Sequence, residues 1–422
     1  MKNSGIEWIG KMPDDWELVK IGSIFRCRNE KVNDTDYPPL SVTRNGIVPQ
    51  MENVAKTDAN DNRKMVKAND FVINSRSDRK QSCGVSQLEG SVSLINTVLF
   101  TENAEVIIPK YTNLIMKNYG FAEEFYRWGH GIVADLWTTR WQEMKGIVLP
   151  LPNVKKQKKI VEFLRKKISG IDSLIAHEEA TIEELKAYKQ SVITEAVTKG
   201  LDKSVPMKDS GVEWIGEIPE SWEIKKAKFL ADMFSKGSGI TKEDIVPDGD
   251  SPCVRYGEIY TKYDTYFKSC VTRTNLSNVS SPQYFSYGDI LFVCTGELVE
   301  EIGKNIVYLG NERCLAGGDI IVMKHSHNPL YLSFALNSHI SQYQKSCNKA
   351  KLKVVHISLG DIGNVLVAVP PLKEQKQIAE YLDKKCACID SLVSSKQNKI
   401  EELKEYKKSL IYEYVTGKKE VA

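Results

Sequence analysis

The chain has 422 residues, of which 41% are hydrophobic and 27% charged, and its 58 basic and 55 acidic side chains give a formal net charge of +3. This length allows two or three domains with their own cores, and the near balance of charge means that a nucleic-acid surface requires local clustering. No apolar run reaches the ~20 residues of a membrane span and no apolar signal core follows the N-terminus, so we expect a cytosolic protein.

Cysteine spacing gives no sign of a disulfide framework or a metal site. The nine cysteines are scattered, and no pair has C-x-x-C spacing. A structural zinc site needs ligand pairs that converge, and a disulfide framework needs an oxidising compartment. We therefore expect free thiols and no bound metal.

The same segments occur twice along the chain. SGIEWIG at residues 4–10 recurs as SGVEWIG at residues 210–216, and the segment at residues 157–189 recurs 218 positions later at residues 375–407. Matching ends with a divergent middle are what two versions of one scaffold with different recognition surfaces would show. The end of the second copy also resembles the junction before residue 210, which predicts a cyclic, pseudo-two-fold organisation. The alternative is an old duplication without functional meaning.

The pattern predicts an α+β protein with four parts. Short β-rich runs mix with helices in both middles, and a long helical pattern follows each. Strands are predicted at residues 71–73, 93–95, 290–293 and 319–322, and helices at residues 111–125 and 329–345. The predicted parts are domain 1 (residues 1–152), helical spacer 1 (153–200), domain 2 (201–370) and helical spacer 2 (371–422).

Both helical spacers carry an apolar heptad stripe, which predicts that they pack together as an antiparallel coiled coil. Both stripes are interrupted at equivalent slots, and an antiparallel pair would bring Glu178 close to Lys396 and help to fix the register. The alternative is that each helix packs only on its own domain. The helix–helix residues are predicted to be Leu164, Ile168, Ile171, Ile175, Glu178, Ile182, Leu185, Leu382, Ile389, Val393, Lys396, Ile400 and Leu403.

The length of the apolar stripe indicates how far apart the helices could hold two recognition domains. Residues 161–196 would span roughly 52 Å as a helix, which is on the order of 15 base pairs of DNA. A rod of this length could hold two recognition domains about one DNA turn apart.

Basic and amide side chains cluster at several places in the two middles. Lysine and arginine neutralise phosphates, whereas forked or amide side chains can read base edges. A solvated surface is the alternative for each cluster. The candidate DNA-binding residues are Arg44, Asn45, Arg76, Arg79, Lys80, Arg127, Arg140, Arg255, Tyr256, Lys345, Lys349, Lys351 and Lys353.

Motifs for catalysis are missing from the sequence. The glycine-containing segment at residues 234–239 has the wrong spacing for a cofactor loop, and Asn328-Pro329-Leu330-Tyr331 has leucine where an adenine methyltransferase motif has a second proline. There is no G-x-x-x-x-G-K-[ST] phosphate loop, and the histidines are too isolated to suggest a triad. We therefore expect no catalytic residues in this chain.

The order of these features resembles the specificity subunits of type I restriction–modification systems across essentially the full length. The resemblance rests on the alternation of variable domain and helix, on the Pro370-Pro371-Leu372-Lys373-Glu374-Gln375 signature that opens the second helix, and on Gly288-Asp289-Ile290-Leu291. The first copies depart from these motifs, with Leu151-Pro152 and Lys156-Gln157 in one and Asn69-Asp70-Phe71-Val72 in the other.

This resemblance implies that each variable domain reads one half of a split DNA target. It implies helices that space the halves and dock two methyltransferase subunits, with restriction and translocase subunits joining that core. S-adenosylmethionine, ATP and magnesium would then serve the partner subunits, and this chain would bind no cofactor. Two alternatives remain, a coiled-coil adaptor that does not read DNA and a self-contained DNA methyltransferase or nuclease.

Overall fold

The chain divides into two compact units, each containing one α+β domain and part of both long helices. A computed structural model describes residues 1–50, 61–76, 79–103, 105–131, 137–296, 298–347 and 355–421. Unit 1 comprises Met1–Glu179 and Gln397–Ala422, and unit 2 comprises Ala180–Lys396. The division falls inside the long helices because each domain shares a hydrophobic core with the helix segments beside it. The predicted domain bounds at residues 152 and 370 stay a prediction.

The domain of unit 1 is built around a four-stranded antiparallel sheet. Phe71–Asn74 lies inside this sheet and is almost entirely buried, because apolar side chains cover both of its faces. The strand order in this sheet is Cys83–Val85, Phe71–Asn74, Asn96–Phe100 and Arg26–Cys27, and a second sheet has the order Gly90–Val92, Arg63–Val66 and Lys31–Val32. Two-stranded pairs are formed by Leu40–Thr43 with Gly46–Pro49, Lys2–Asn3 with Lys11–Met12, and Glu17–Lys20 with Val148–Leu151. The short helices are Ile21–Ile24, Pro109–Ile115, Tyr119–Arg127 and Trp141–Met144.

The domain of unit 2 has a larger version of this arrangement. Its central strand, Ile290–Val293, is fully buried between two antiparallel neighbours. The strand order in the main sheet is Ala231–Lys236, Ile320–His325, Ile290–Val293, Asn305–Tyr308 and Tyr266–Phe267, and a second sheet has the order Thr272–Thr274, Ser251–Val254, Cys314–Ala316 and Tyr284–Phe285. Two-stranded pairs are formed by Met207–Asp209 with Glu217–Pro219, Glu223–Lys226 with Leu366–Val369, and Thr295–Gly296 with Val355–His356. The helices are Tyr256–Thr261, Pro329–Asn337, His339–Ser346 and Leu359–Gly363, and the 3-10 turns are Ala227–Phe229, Leu276–Asn278 and Val299–Glu301.

Several predicted elements have different bounds in the structure. Residues 93–95 are not a strand but the turn between Gly90–Val92 and Asn96–Phe100, closed by a hydrogen bond from Asn96 N to Ser93 O. Both predicted helices are split in two by a capping residue. Asn118 and Ser338 each accept a hydrogen bond from the backbone N–H three residues later, which starts a new helix.

The long helices, Val154–Lys199 and Leu372–Val415, are antiparallel within each unit, as predicted. In unit 1 the Phe163 and Tyr414 rings lie 4.6 Å apart and Lys407 pairs with Asp172. The predicted stripe is buried or half-buried along both helices, which fits a packed seam. None of the helices in the described part of the chain is long and apolar enough to cross a membrane.

Glu178, the acidic residue that interrupts the stripe of the first helix, has a basic partner on the second helix. Glu178 is buried and forms an ion pair of 2.6 Å with Lys399, about one turn further along the second helix than Lys396. The Lys407–Asp172 pair sets a register in which Lys399 falls within one turn of the position opposite Glu178. An opposite-charge contact at Glu178 was predicted, and Lys399 supplies one. The contact between Glu178 and Lys396 stays a prediction.

Each domain is fastened to both long helices by equivalent buried hydrogen bonds. Gln157 Oε1 accepts from Ile108 N at 3.0 Å, and Gln375 Oε1 accepts from Asn328 N at the same distance. The glutamine of the proline–glutamine signature thus ties the start of each helix to its domain. Tyrosine hydroxyls hold the ends of the helices, because Tyr111 donates to Val415 O and Tyr331 donates to Val197 O.

Candidate nucleic-acid interface

A basic and aromatic cleft lies where the central strand of unit 1 ends. Arg76 is exposed there, two residues after Asn74, whose side chain accepts a hydrogen bond from the Arg76 N–H. Tyr126 and Trp137 stack in the wall of the cleft with ring centroids 5.7 Å apart, and Trp137 Nε1 donates to Tyr126 O. The full lining is Ile73, Asn74, Ser75, Arg76, Arg79, Lys80, Gln81, Cys83, Met116, Lys117, Phe121, Ala122, Phe125, Tyr126, Trp137 and Thr139.

The basic side chains of this cleft differ in their contacts and in their burial. Lys80 forms an ion pair of 3.1 Å with Glu123 and lies 4.3 Å from the centre of the Tyr126 ring. Burial lowers the pKa of Lys117, which the sequence pattern did not single out because it stands apart from other basic residues in the chain. The structure thus brings together Arg76, Arg79 and Lys80, which the sequence predicted, and adds Lys117. Such a set can hold a phosphate or read a base edge.

Other predicted residues of unit 1 lie at separate places. Arg44 and Asn45 form the exposed turn between Leu40–Thr43 and Gly46–Pro49. Arg127 is paired with Glu7 at 3.0 Å and with Glu124 at 3.2 Å. Arg140 precedes the short helix Trp141–Met144, and its backbone N–H donates to Glu143. Arg44 and Asn45 are therefore placed where they could contact DNA, whereas Arg127 already has carboxylate partners.

In unit 2, Arg255 and Tyr256 do not occupy a place like that of Arg44 and Asn45. They open the helix Tyr256–Thr261, and the Arg255 guanidinium is bound to the buried Glu258 at 3.0 Å. Tyr256 is partly exposed and faces a cleft of about 920 Å³. Arg255 is therefore engaged in holding its own helix, while Tyr256 is available to a ligand.

Lys345 was expected to contact phosphate, and the structure contradicts this because its side chain is buried. Its ammonium group donates to Gly303 O at 2.7 Å and to Leu336 O at 2.9 Å. In the duplicated helix of unit 1 the equivalent position is Phe125, also buried. The lysine stem replaces the phenylalanine ring and its amine satisfies two carbonyls. The other members of that predicted cluster, Lys349, Lys351 and Lys353, lie outside the described residues.

A second candidate surface is apolar and lies on the long helices. Leu174, Tyr188, Leu392 and Tyr406 are 49%, 48%, 48% and 53% exposed, although each belongs to an amphipathic helix whose stripe is covered. In unit 1 the Lys407–Asp172 pair brings Tyr406 within about one turn of Leu174 along the helices; we call these two residues patch 1.

An equivalent patch exists in unit 2. The Lys189–Asp390 pair brings Tyr188 within about one turn of Leu392, and these two residues form patch 2. The Lys385 ammonium lies 5.6 Å from the centre of the Tyr188 ring, so a basic side chain borders patch 2. Leucine and tyrosine recur at positions 218 residues apart, so the two patches have the same chemistry.

Two α+β modules on paired helices, with matching anchors and different clefts, define a duplicated recognition protein. The family model described as "Type I restriction modification DNA specificity domain" matches residues 13–186 and again residues 219–402. Because these two matches cover most of the sequence, the chain belongs to that family and carries two DNA specificity domains in tandem. This confirms the resemblance identified from the sequence.

Relatives and solved structures agree with this assignment. A protein of Methanocaldococcus jannaschii, whose name assigns it provisionally to the MjaX type I restriction enzyme as specificity subunit, is 22% identical over 97% of this chain and 95% of its own length. The EcoBI specificity subunit of Escherichia coli is 23% identical over 65% of this chain and 59% of its own length.

The fold is shared with two solved chains at 16% identity. A chain from a structure of complex assembly and conformational transition in a type I restriction–modification system gives a TM-score of 0.71 over 96% of this chain and 98% of that one. The crystal structure of the HsdS subunit from Thermoanaerobacter tengcongensis gives 0.53 over 99% and 100%. At this identity the likeness shows the fold alone.

Proposed function

We propose that this protein is the cytoplasmic, non-catalytic subunit that gives a type I restriction–modification complex its sequence specificity, with each domain reading one half of a split DNA target. The observation that carries the proposal is that two modules share their anchors to the helices but differ in their clefts. A shared anchor holds each module in the same way, while a different cleft lets each read different bases.

The cleft of unit 1 supplies the groups for one half-site. Arg76 is exposed and can donate two parallel hydrogen bonds, and Lys117 and Lys80 add positive charge beside it. Phosphate contacts of this kind position a protein on DNA, and forked contacts to base edges give sequence preference. Arg44 and Asn45, in their exposed turn, are a second point of contact for the same domain.

The long helices supply the docking surface for the modification subunits. Patch 1 and patch 2 are exposed, apolar and made of the same two residue types, so they fit two copies of one partner better than two different partners. We assign that partner as the methyltransferase subunit, and restriction and translocase subunits join the resulting core. S-adenosylmethionine, ATP and magnesium are bound by these partners, and this chain binds no cofactor.

Mapping methylated adenines in a genome tests the proposal. Cells that carry this chain with its methyltransferase partner are expected to methylate a motif of two short half-sites separated by a fixed number of unread bases. A continuous short motif, or no sequence preference, would contradict it. A chain in which residues 1–152 are replaced by the equivalent region of a related subunit should change one half-site only, whereas an adaptor that does not read DNA would leave the motif unchanged.

A further inference from the structure

The two domains have an equivalent position directly after the central strand. Arg76 follows Phe71–Asn74 by two residues, and Thr295 follows Ile290–Val293 by two residues. Arg76 forms a β-bridge with Thr138, and Thr295 pairs with His356 in a short antiparallel ladder. In both domains, the second residue after the central strand therefore pairs with a segment that lies later in the chain.

The backbone hydrogen bonds one residue earlier support this equivalence. Thr139 N donates to Ser75 O at 2.9 Å in unit 1, and Ile357 N donates to Cys294 O at 2.8 Å in unit 2. In both domains the donor lies on the returning segment, and the acceptor is the residue directly after the central strand. Arg76 and Thr295 are thus one structural position occupied by two different residues.

Burial separates the two faces of this short ribbon. Ser75, Thr139 and Ile357 are buried, whereas Arg76 and His356 are exposed. The inner face is fixed in each domain core, and the outer face can change without disturbing the fold. A two-stranded ribbon of this kind has the width that the major groove of DNA accepts.

The outer side chains have different hydrogen-bonding chemistry. Among the described residues, no side chain binds the Arg76 guanidinium, and this side chain is exposed. In unit 2, Thr295 Oγ1 and His356 Nδ1 lie 3.1 Å apart, so the threonine hydroxyl is held by a ring that is itself exposed. A guanidinium fork matches O6 and N7 of guanine, whereas a single hydroxyl is compatible with several bases.

The side chains that line the clefts around Arg76 and Thr295 also differ. Lys117 faces the cleft of unit 1, and its equivalent in unit 2 is Asn337, whose amide donates to Asn305 O. Glu301 lies in the unit 2 cleft and Lys304 is half-buried against Tyr260. The lining of the unit 1 cleft thus contains basic side chains and no carboxylate, although Lys80 pairs with Glu123 beside it, whereas the lining of the unit 2 cleft contains side chains of both signs.

From these observations we propose that the position shared by Arg76 and Thr295 determines base preference in each half-site, with Arg76 reading a guanine and the Thr295–His356 pair reading the other half-site less stringently. This inference rests on the proposed function and adds to it the residues that select the bases.

Exchange of the two residues in the full chain, assembled with its methyltransferase partner, tests the inference. Arg76→Thr should reduce the preference for guanine at one position of one half-site by roughly tenfold or more, the range expected for loss of a bidentate base contact. Thr295→Arg should sharpen one position of the other half-site and leave the first unchanged. Arg26→Thr, an exposed arginine of the same unit outside the cleft, is the matched control.

The outcomes separate the inference from the proposed function. A split motif that Arg76→Thr leaves unchanged overturns the inference and keeps the function. Equal weakening on all DNA sequences, with a smaller dependence of binding on salt, would make Arg76 a phosphate contact and also overturns the inference. Absence of a split motif in the unaltered complex overturns the function itself. Thermal unfolding of each variant checks that the domain remains folded.

Discussion

Lys189 and Asp390 form an ion pair of 2.7 Å between the two long helices in unit 2, and Lys407 and Asp172 form the equivalent pair of 2.6 Å in unit 1. Each lysine lies 218 positions from the other, as does each aspartate, so one contact has been kept in both copies. Charged side chains at the edge of an apolar seam select one register because any shift would leave a half-buried charge without its partner.

We expect charge reversal at the first of these pairs to be destabilising and the double reversal to recover part of the loss. Burial lowers the pKa of Lys189, but hydrogen bonding to Asp390 and the nearby Asp264 outweigh it and raise the pKa overall. Lys189→Asp combined with Asp390→Lys should show a coupling free energy of about 1–2 kcal/mol in a double-mutant cycle measured by urea unfolding. The more exposed Lys407–Asp172 pair serves as the comparison and should give a smaller coupling. Zero coupling at both pairs would contradict a role in register.

Removal of the buried glutamine that joins domain and helix should destabilise unit 2. Gln375→Ala leaves Asn328 N and Pro370 O without their partner, at an expected cost of about 1–3 kcal/mol for each unsatisfied buried group. Gln377→Ala changes the same residue type two positions further on, where the side chain is exposed, and should be close to neutral. Urea unfolding of both variants gives the comparison, and similar losses would show that the anchor is unimportant.

The buried amine of Lys345 should make stability depend on pH. Burial lowers the pKa of Lys345 to about 7, below its ordinary value of 10.5 in the unfolded chain. Between these two values the unfolded chain binds the extra proton, so the contribution of this group to stability increases as pH rises from about 7 and is least favourable below that pH.

Comparison with Lys345→Met isolates this effect from the titration of other groups. The free energy of unfolding of the unaltered protein minus that of the variant should increase between pH 7 and pH 10. Lys262→Met removes an exposed lysine of the same unit and should show no such trend. A difference that stays constant with pH would mean that Lys345 keeps its proton in the folded protein.

The apolar patches on the long helices should control how many methyltransferase subunits bind. Leu174→Lys alters patch 1 and Leu392→Lys alters patch 2, and each should weaken one binding step by about 2 kcal/mol, as expected for an interface anchor. Native mass spectrometry should show one bound copy for each single variant and none for the double variant. Leu276→Lys changes an exposed leucine away from the helices and should keep both copies. Two bound copies in the double variant would exclude the patches as the docking surface.

Much of the architecture was predictable because it repeats or has a strict period. The heptad stripe predicted the antiparallel helices, and the duplicated segments predicted two α+β domains. A periodic pattern reports which face of an element is buried, but it does not report the partner of an individual charge. Glu178 illustrates this limit, since the pattern predicted an opposite charge beside it but did not single out Lys399, which forms an ion pair with it.

The environment of identical motifs was decided by residues distant in the chain. Trp8 and Trp214 occupy the same place in the two copies of the S-G-x-E-W-I-G motif, yet Trp8 is 6% exposed and Trp214 is 45% exposed. Trp8 packs edge-on against Phe121, and its carbonyl accepts from Tyr412. The equivalent positions in unit 2 are Ser341 and Thr194, which are too small to cover a tryptophan.

The sequence by itself thus determined the duplicated plan, the family and the basic stretch around Arg76, because local periodicity and repeated motifs encode them directly. Only the tertiary structure decided that Lys345 is buried in place of a phenylalanine, that Lys117 joins the cleft, and that Arg76 and Thr295 share one position. Those three findings depend on contacts between segments that are distant in the sequence, and the packing of many residues together determines these contacts.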